Sequence, residues 1–331
     1  MERMRISVAG GGSWGTALAH LLACGGHAVR LWLRNAAVAE AVNLRHENPR
    51  YLPGFALHPA LVASTDPAAL DGHIVVLAVP CQQLRGWLAA HAARLRPDAV
   101  LINAAKGLET GSLLTCAQVT EQMIPSVRPR YAALSGPSFA ADVLRGLPTA
   151  VVLATREEAL GRRLRGIVSG PAFRCYSSSD VTGVEMGGAL KNVMAIAAGV
   201  CDGLGLGHNS RAALITRGLA EMSRLGTARG AQARTFMGLS GLGDLTLTCT
   251  GDLSRNRQVG LRLGRGERLE HITAALGMVA EGVATTAAVH ELALTLGVEA
   301  PLTAAVHAIL YEGQEPHAAL RALMTRELRD E

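Results

Sequence analysis

The sequence predicts a doubly wound α/β domain followed by an all-helical domain, and three observations carry that expectation. Up to about residue 180, short β-rich runs alternate with helical stretches, as in a parallel sheet wrapped by helices. The first of those runs opens directly into Gly10-Gly-Gly-Ser-Trp-Gly15. Beyond Ser177-Ser-Ser179 the texture changes, and apolar residues recur near helical spacing.

Candidate strands are Arg5–Ala9, Val29–Leu33, His73–Val79, Ala99–Asn103, Tyr131–Leu134, Ala150–Ala154 and Phe173–Tyr176. In the second half Asn209 and Ser210 read as an N-cap. Leu214, Ile215, Leu219, Met222 and Leu225 then form a stripe, and Gly226 stops it. Residues 285–296 repeat the pattern, with Val289, Leu292, Ala293 and Leu296 on one face and Gly297 at the end. The change falls near residues 178–186, which gives domains 1–182 and 183–331, a division that the chain length of 331 residues suits. With no internal repeat or low-complexity linker, the two are expected to share a broad contact with a cleft between them.

Composition narrows the functional classes. A hydrophobic content of 49% with 18% charged residues describes an ordered globular chain. The net charge of +5 is spread along the sequence and aromatics make up 3%, so nucleic-acid binding has no footprint. Met1-Glu-Arg-Met-Arg5 ahead of an alanine-rich stretch has the outline of a signal peptide, but glycines between Gly10 and Gly26 interrupt it. No run approaches the roughly 18 uninterrupted apolar residues of a membrane span. Six cysteines without a CxxC pair argue against a disulfide framework or zinc ribbon and suit a reduced, cytoplasmic setting. The eleven histidines form no HxxxH or HxH group, so no metal is expected.

Gly10–Gly15 is a G-x-G-x-x-G between a strand and the helical Thr16–Cys24. In a Rossmann-like site one glycine makes the tight turn and one lets backbone approach a pyrophosphate. Another permits close helix–sheet packing, while the helix N-terminus receives the anion. Strand-to-helix context in a βαβ-length unit separates it from a generic glycine-rich turn, which the bare motif also fits. The second strand ends at Leu31-Trp-Leu-Arg34-Asn35. An Asp or Glu there would accept from the ribose 2′-hydroxyl of NAD, whereas Arg34 suits a 2′-phosphate; NADPH is therefore expected to be favoured, with NADH as the other cofactor. An ordinary exposed arginine at a strand end is the alternative reading.

Of 32 Lys+Arg residues only Lys106 and Lys191 are lysine. Arginine stays protonated at any working pH, while a lysine amine can be desolvated or crowded until it exchanges a proton. Lys106 ends the apolar run Leu101-Ile-Asn-Ala-Ala-Lys-Gly107, at the kind of strand end where open α/β sheets bind ligands. Lys191 sits in the small-residue, apolar segment Gly187–Gly199, where an idle charge would be costly.

With these segments stand Ala105-Lys-Gly-Leu-Glu109, Leu134-Ser-Gly-Pro-Ser-Phe-Ala140, Gly187-Gly-Ala-Leu-Lys-Asn-Val193, Leu214–Met222, Gly241-Leu-Gly-Asp-Leu245 and Ser254-Arg-Asn-Arg257. Taken in order, they resemble the bacterial NAD(P)-dependent glycerol-3-phosphate dehydrogenases over almost the whole chain. The loop departs from the pattern only in a glycine where alanine is common in the second place. The resemblance implies a Rossmann-like N-terminal domain and an all-α domain of the 6-phosphogluconate-dehydrogenase C-terminal kind. It also implies a homodimer that interconverts sn-glycerol 3-phosphate and dihydroxyacetone phosphate with NADPH or NADH, for phospholipid synthesis. Lys191 resembles the proton acceptor, and Lys106 a partner of both nicotinamide and substrate. Gly136, Ser138, Asp244, Ser254, Arg255 and Asn256 match substrate contacts. Ser13, Trp14, Arg34, Ala140, Val279 and Glu281 match cofactor contacts, with Arg255 touching both ligands.

The chemistry of the residues is compatible with that assignment. A second ammonium such as Lys106 and partial burial would bring the Lys191 amine toward a useful range. Asp244 can orient an ammonium or serve as a turn or capping residue, and Ser254–Arg257 can seat a phosphate or form a solvated turn. Cys249 reads as a small buried residue. A hydroxy-acid or ketopantoate reductase, and a redox sensor that binds NAD(P)H without turnover, remain the competing classes.

Overall fold

The computed structural model describes residues 3–276 and 280–327. The chain forms two compact units, Met1–Lys106 with Cys116–Glu185, and Gly107–Thr115 with Met186–Glu331. The short segment 107–115 thus groups with the helical unit, through the fully buried Leu108.

In the first unit, strands β1 (Arg5–Ala9), β2 (Ala28–Trp32), β3 (Val62–Ser64), β4 (Ile74–Leu77), β5 (Val100–Asn103), β6 (Tyr131–Ser135), β7 (Thr149–Ala154) and β8 (Phe173–Ser178) make one sheet. Their order is β3-β2-β1-β4-β5-β6-β7-β8. Strand order reverses at β1, which pairs in parallel with β2 on one side and β4 on the other. Strands β4, β5 and β6 are buried along their whole length, as parallel strands covered on both faces require, which is why they read as largely apolar runs, broken only by the terminal Asn103 of β5 and Ser135 of β6. Helices α1 (Ser13–Cys24), α2 (Ala36–Arg45), α3 (Cys81–His91), α4 (Cys116–Met123), α5 (Ala140–Leu144) and α6 (Glu158–Val168) connect them.

Two features depart from the sequence expectation. Strand β3, three residues long, is too short to show alternation; the Asn43 amide holds it by donating to Ala63 O at 2.9 Å and accepting from Ala63 N at 2.8 Å. Strand β7 runs antiparallel to β6 in an otherwise parallel sheet. The link between them carries only the five-residue α5, too little helix for a parallel crossover.

The second unit is built around α7 (Val181–Gly203), followed by α8 (Gly207–Ala228), α9 (Ala233–Phe236), α10 (Asp244–Thr250), α11 (Arg255–Gly264), α12 (Leu269–Leu276), α13 (Glu281–Leu296), α14 (Pro301–Tyr311) and α15 (Pro316–Met324). Helix α7 is long and apolar enough to cross a membrane, yet its apolar window is 100% buried inside the protein, as a core helix is. Its Gly199 and Gly203 face Gly260 and Gly264 of α11, where any Cβ would overlap the opposing backbone. Removing four side chains lets the two helices touch main chain to main chain.

Helix α8 begins at Gly207, so Asn209 and Ser210 lie inside it, and the Ser210 hydroxyl donates to Leu206 O rather than capping. Gly226 does not end that helix. It is buried within it because a Cβ there would overlap the Phe236 ring. The α13 stripe is as expected, with Val289, Leu292 and Ala293 buried and Gly297 left-handed at φ 62° as C-cap. Glu221 of α8 serves a different task, accepting from Leu302 N, Thr303 N and Thr303 Oγ1 to cap α14. Burial raises its carboxyl above the usual range, against those hydrogen bonds.

Candidate functional site

In the first unit, the predicted residues gather at the carboxyl ends of parallel strands, beside the order reversal at β1 and β4, the place where such sheets bind nucleotides. Gly10 follows β1 with φ +115°, and a Cβ on it would overlap the Ala78 carbonyl after β4. A Cβ on Gly15 would overlap the Gly10 carbonyl, so that position lets α1 start close against the loop. At Gly12 an added Cβ would meet no atom within 4 Å among the described residues, which leaves the open side of the loop there. Gly12 caps α1 without a side-chain hydrogen bond, and the first turn carries no acid. An uncapped helix start beside main chain bare of Cβ atoms fits a dinucleotide pyrophosphate.

Asn48, which sequence reasoning missed, braces this loop. It is fully buried, and Nδ2 donates to Gly11 O at 3.0 Å and to Thr16 Oγ1 at 2.9 Å. Ser13 Oγ donates to Tyr51 O at 3.1 Å, tying the same segment to the helix start. Trp14 packs against the core, and its buried Nε1 has no hydrogen-bond partner among the described residues. Arg34 is exposed just beyond β2, before Asn35, whose side chain accepts from Val38 N and caps α2.

Lys106, three residues past β5, donates from Nζ to Gly136 O at 3.2 Å. Ser138 Oγ donates to the same carbonyl at 3.0 Å, so Lys106, Gly136 and Ser138 come together as the sequence groups them. Gly136 has φ +130° and lies against Val151, which reserves the position for glycine. Ala140 begins α5.

In the second unit Lys191 is buried on α7, 8% exposed. Its Nζ lies 3.0 Å from Asp244 Oδ1 and donates to Thr248 Oγ1 at 2.8 Å. The Thr248 hydroxyl in turn donates to Asp244 O at 2.6 Å. Asp244 opens α10 straight after Leu239–Gly243, a wide π-type turn of the sort often found at functional sites. Gly187 lets α7 approach that turn, since a Cβ there would press on the Ser240 carbonyl. The charge set against Lys191 within its own unit is thus a carboxylate, and Asp244 orients an ammonium rather than merely making a turn. Thr248 carried no sequence signal beyond lying one helical turn after Asp244.

The Ser254–Arg257 segment divides its work. Ser254 caps α11 by accepting from Arg257 N at 3.2 Å, and Arg255 is exposed at the helix start. Asn256 is buried; Nδ2 donates to Asn192 Oδ1 at 2.9 Å and Oδ1 accepts from Gly282 N at 3.0 Å. It therefore joins the residue after Lys191 to the first turn of α13, where Glu281 stands. Arg257 is held by Asp202 at 2.7 Å and Asp252 at 2.8 Å, anchoring the start of α11. Val279 lies outside the described residues. Cys249 is fully buried, and burial pushes its thiol up to about 12, the behaviour of a packing residue. Among the described residues no group of three His, Cys, Asp or Glu could hold a metal ion.

Known proteins place this chain in one lineage. Residues 5–161 match the family model for the NAD-dependent glycerol-3-phosphate dehydrogenase N-terminus, and residues 180–321 that for its C-terminus. A protein of Desulfovibrio desulfuricans described as glycerol-3-phosphate dehydrogenase, NAD(P)+, is 73% identical over 100% of this chain and 99% of its own. One of the same description from Nitratidesulfovibrio vulgaris is 59% identical, covering 99% and 100%. The crystal structure of glycerol-3-phosphate dehydrogenase from Coxiella burnetii superposes with a TM-score of 0.93 at 40% identity, over 98% of this chain and 99% of that one. A glycine cradle at a parallel-sheet switch point, a buried Lys–Asp pair on a helical unit, and matches spanning both make this chain a member of the NAD-dependent glycerol-3-phosphate dehydrogenase family.

Proposed function

We propose that the chain interconverts sn-glycerol 3-phosphate and dihydroxyacetone phosphate with NADPH or NADH, with Lys191 as the proton-exchanging residue. The observation that carries this reading is the buried Lys191 side chain, its Nζ held by Asp244 and Thr248. Nicotinamide, when bound, supplies or accepts the hydride at C2. In the oxidising direction Lys191 Nζ, as the neutral amine, takes the proton of the C2 hydroxyl, and in reverse the ammonium gives that proton to the ketone oxygen. Asp244 and Thr248 keep Nζ in one orientation while that proton moves. Gly10, Gly12 and Gly15, with Ser13, Trp14 and Ala140, hold the dinucleotide and Arg34 its 2′-phosphate, while Val279 and Glu281 are further cofactor residues that the family resemblance implies.

Lys106, Gly136 and Ser138 contact the substrate, and Arg255, with Ser254 and Asn256, seats its phosphate, Arg255 also reaching the cofactor. The structure adds a reason for Arg255 to lead: it is exposed at the start of α11, where helix and guanidinium both favour an anion. The same reading carries a homodimer, a cytoplasmic setting and a supply of glycerol 3-phosphate for phospholipids.

The test is NADPH oxidation with dihydroxyacetone phosphate, dihydroxyacetone and ketopantoate side by side. The phosphate ester should be reduced at least ~10³-fold more efficiently than dihydroxyacetone, because remote binding energy orients the reacting carbon. Arg255→Ala should erase most of that preference. Ketopantoate as the better substrate would overturn the reading, and no NADPH consumption with any ketone would point to a sensor.

A further inference from the structure

Glu185 is a carboxylate 8% exposed that the chemistry above leaves unused. It lies near the start of α7, and donors from three other elements converge on it. Ala117 N at the start of α4 donates to Oε1 and Oε2 at 3.1 and 3.0 Å. The Tyr131 hydroxyl on β6 donates to Oε1 at 2.5 Å, and Asn103 Nδ2 at the end of β5 donates to Oε1 at 3.4 Å. A ring of donors matches an ionised carboxylate, which only accepts, and a helix N-terminus favours its charge. Tyr131 is fully buried; burial, then the Glu185 charge, hold its phenol well above the usual range, so it stays a donor.

Asn103 carries the contact onward. Its Nδ2 also donates to Ala105 O at 3.0 Å, and its Oδ1 accepts from Ala105 N at 3.3 Å. This amide closes the turn that leads into Lys106, whose Nζ reaches Gly136 O at 3.2 Å. We propose that Glu185 is a positioning residue: by anchoring Asn103 it sets the turn after β5, and with it the place where the Lys106 ammonium is held. The inference rests on the assignment of Lys106 to the substrate. Its precision matters because a misplacement of about 1 Å can cost on the order of 10²-fold in rate.

The experiment is a double-mutant cycle on the full chain, with dihydroxyacetone phosphate and NADPH. Glu185→Gln keeps the size but turns an amide donor toward donors, so kcat/KM should fall roughly 10- to 100-fold while the Kd of NADPH stays within about twofold. In a Lys106→Ala background the same change should cost less than about twofold more, because the residue it acts through is gone. Asn103→Ala leaves the Ala117 and Tyr131 bonds to Glu185 in place, so it should reproduce both results even if Glu185→Gln does not fold. Equal losses with and without Lys106, or full activity of Asn103→Ala, overturn the positioning role alone. Wild-type kinetics in Lys106→Ala overturn the Lys106 assignment and this inference with it.

Discussion

The glycine cradle of the first unit and the Lys191 pocket of the second are built by opposite means. The cradle is main chain: four glycines within six residues, a helix start and strand ends, with Asn48 as its buried side-chain brace. The pocket is side chain: a buried ammonium, a carboxylate and a hydroxyl from α7 and α10, backed by the Asn256 tie between Asn192 and α13. A main-chain site tolerates many neighbouring sequences but almost no added Cβ. A buried side-chain site depends on each partner's charge, because one left alone has nothing to offset its desolvation.

Substitutions in the pocket should therefore have the largest effects. Lys191→Arg keeps the charge but removes proton exchange near neutral pH, so turnover should fall by roughly 10²–10⁴ while NADPH still binds. Pre-steady-state and steady-state NADPH absorbance, with a separate binding titration, check both halves. Full turnover in this variant would remove Lys191 from the reaction.

Asp244→Ala strands the Lys191 ammonium, and breaking a buried pair in this way costs about 3–5 kcal/mol. Urea unfolding of the helical unit should record the loss alongside the loss of activity. If Asp244→Ala unfolds like the wild type, the pair is no more than a solvated contact, and the contrast with the cradle fails.

The cradle itself offers a paired test. Gly15→Ala forces a Cβ onto the Gly10 carbonyl and should lower both stability and cofactor affinity. Gly12→Ala meets no atom of the described protein within 4 Å, so it should leave the melting temperature unchanged and weaken NADPH binding alone. An unaffected NADPH Kd in Gly12→Ala would place the pyrophosphate elsewhere.

The smallest expected effect is at the rim. Arg34→Ala should lose about 1–3 kcal/mol of NADPH binding, the scale of a charge-assisted contact, with NADH binding little changed. Equal losses for the two cofactors would show that Arg34 does not read the 2′-phosphate.

The contrast also explains what was legible. Gly10–Gly15 and the strands β1, β4 and β5 are local patterns: steric need, apolar runs and turn chemistry are written in neighbouring residues. The two lysines stood out because their residue type was rare where arginine was abundant. What escaped was non-local. Asn48 lies far along the chain from the loop it braces, and Asn192 and Asn256 meet across α7 and α11. Strand β3 is held by a side chain on α2 rather than by its own pattern.

Gly226 shows the boundary between the two kinds of information. As a letter it read as a helix stop, since glycine carries a propensity cost near 1 kcal/mol in a helix. In the fold it sits inside α8 because Phe236 occupies the space a Cβ would need. The sequence by itself determined the two architectures, the glycine loop and the candidate lysines, because these rest on periodicity, backbone sterics and residue chemistry. Only the tertiary structure decided that Asp244 and Thr248 hold Lys191, that Ser254 caps α11 and Asn256 faces Asn192, and that Glu185 backs the turn before Lys106. Buried polar groups take whichever partner folding brings within hydrogen-bond reach, and no short window of sequence contains that choice.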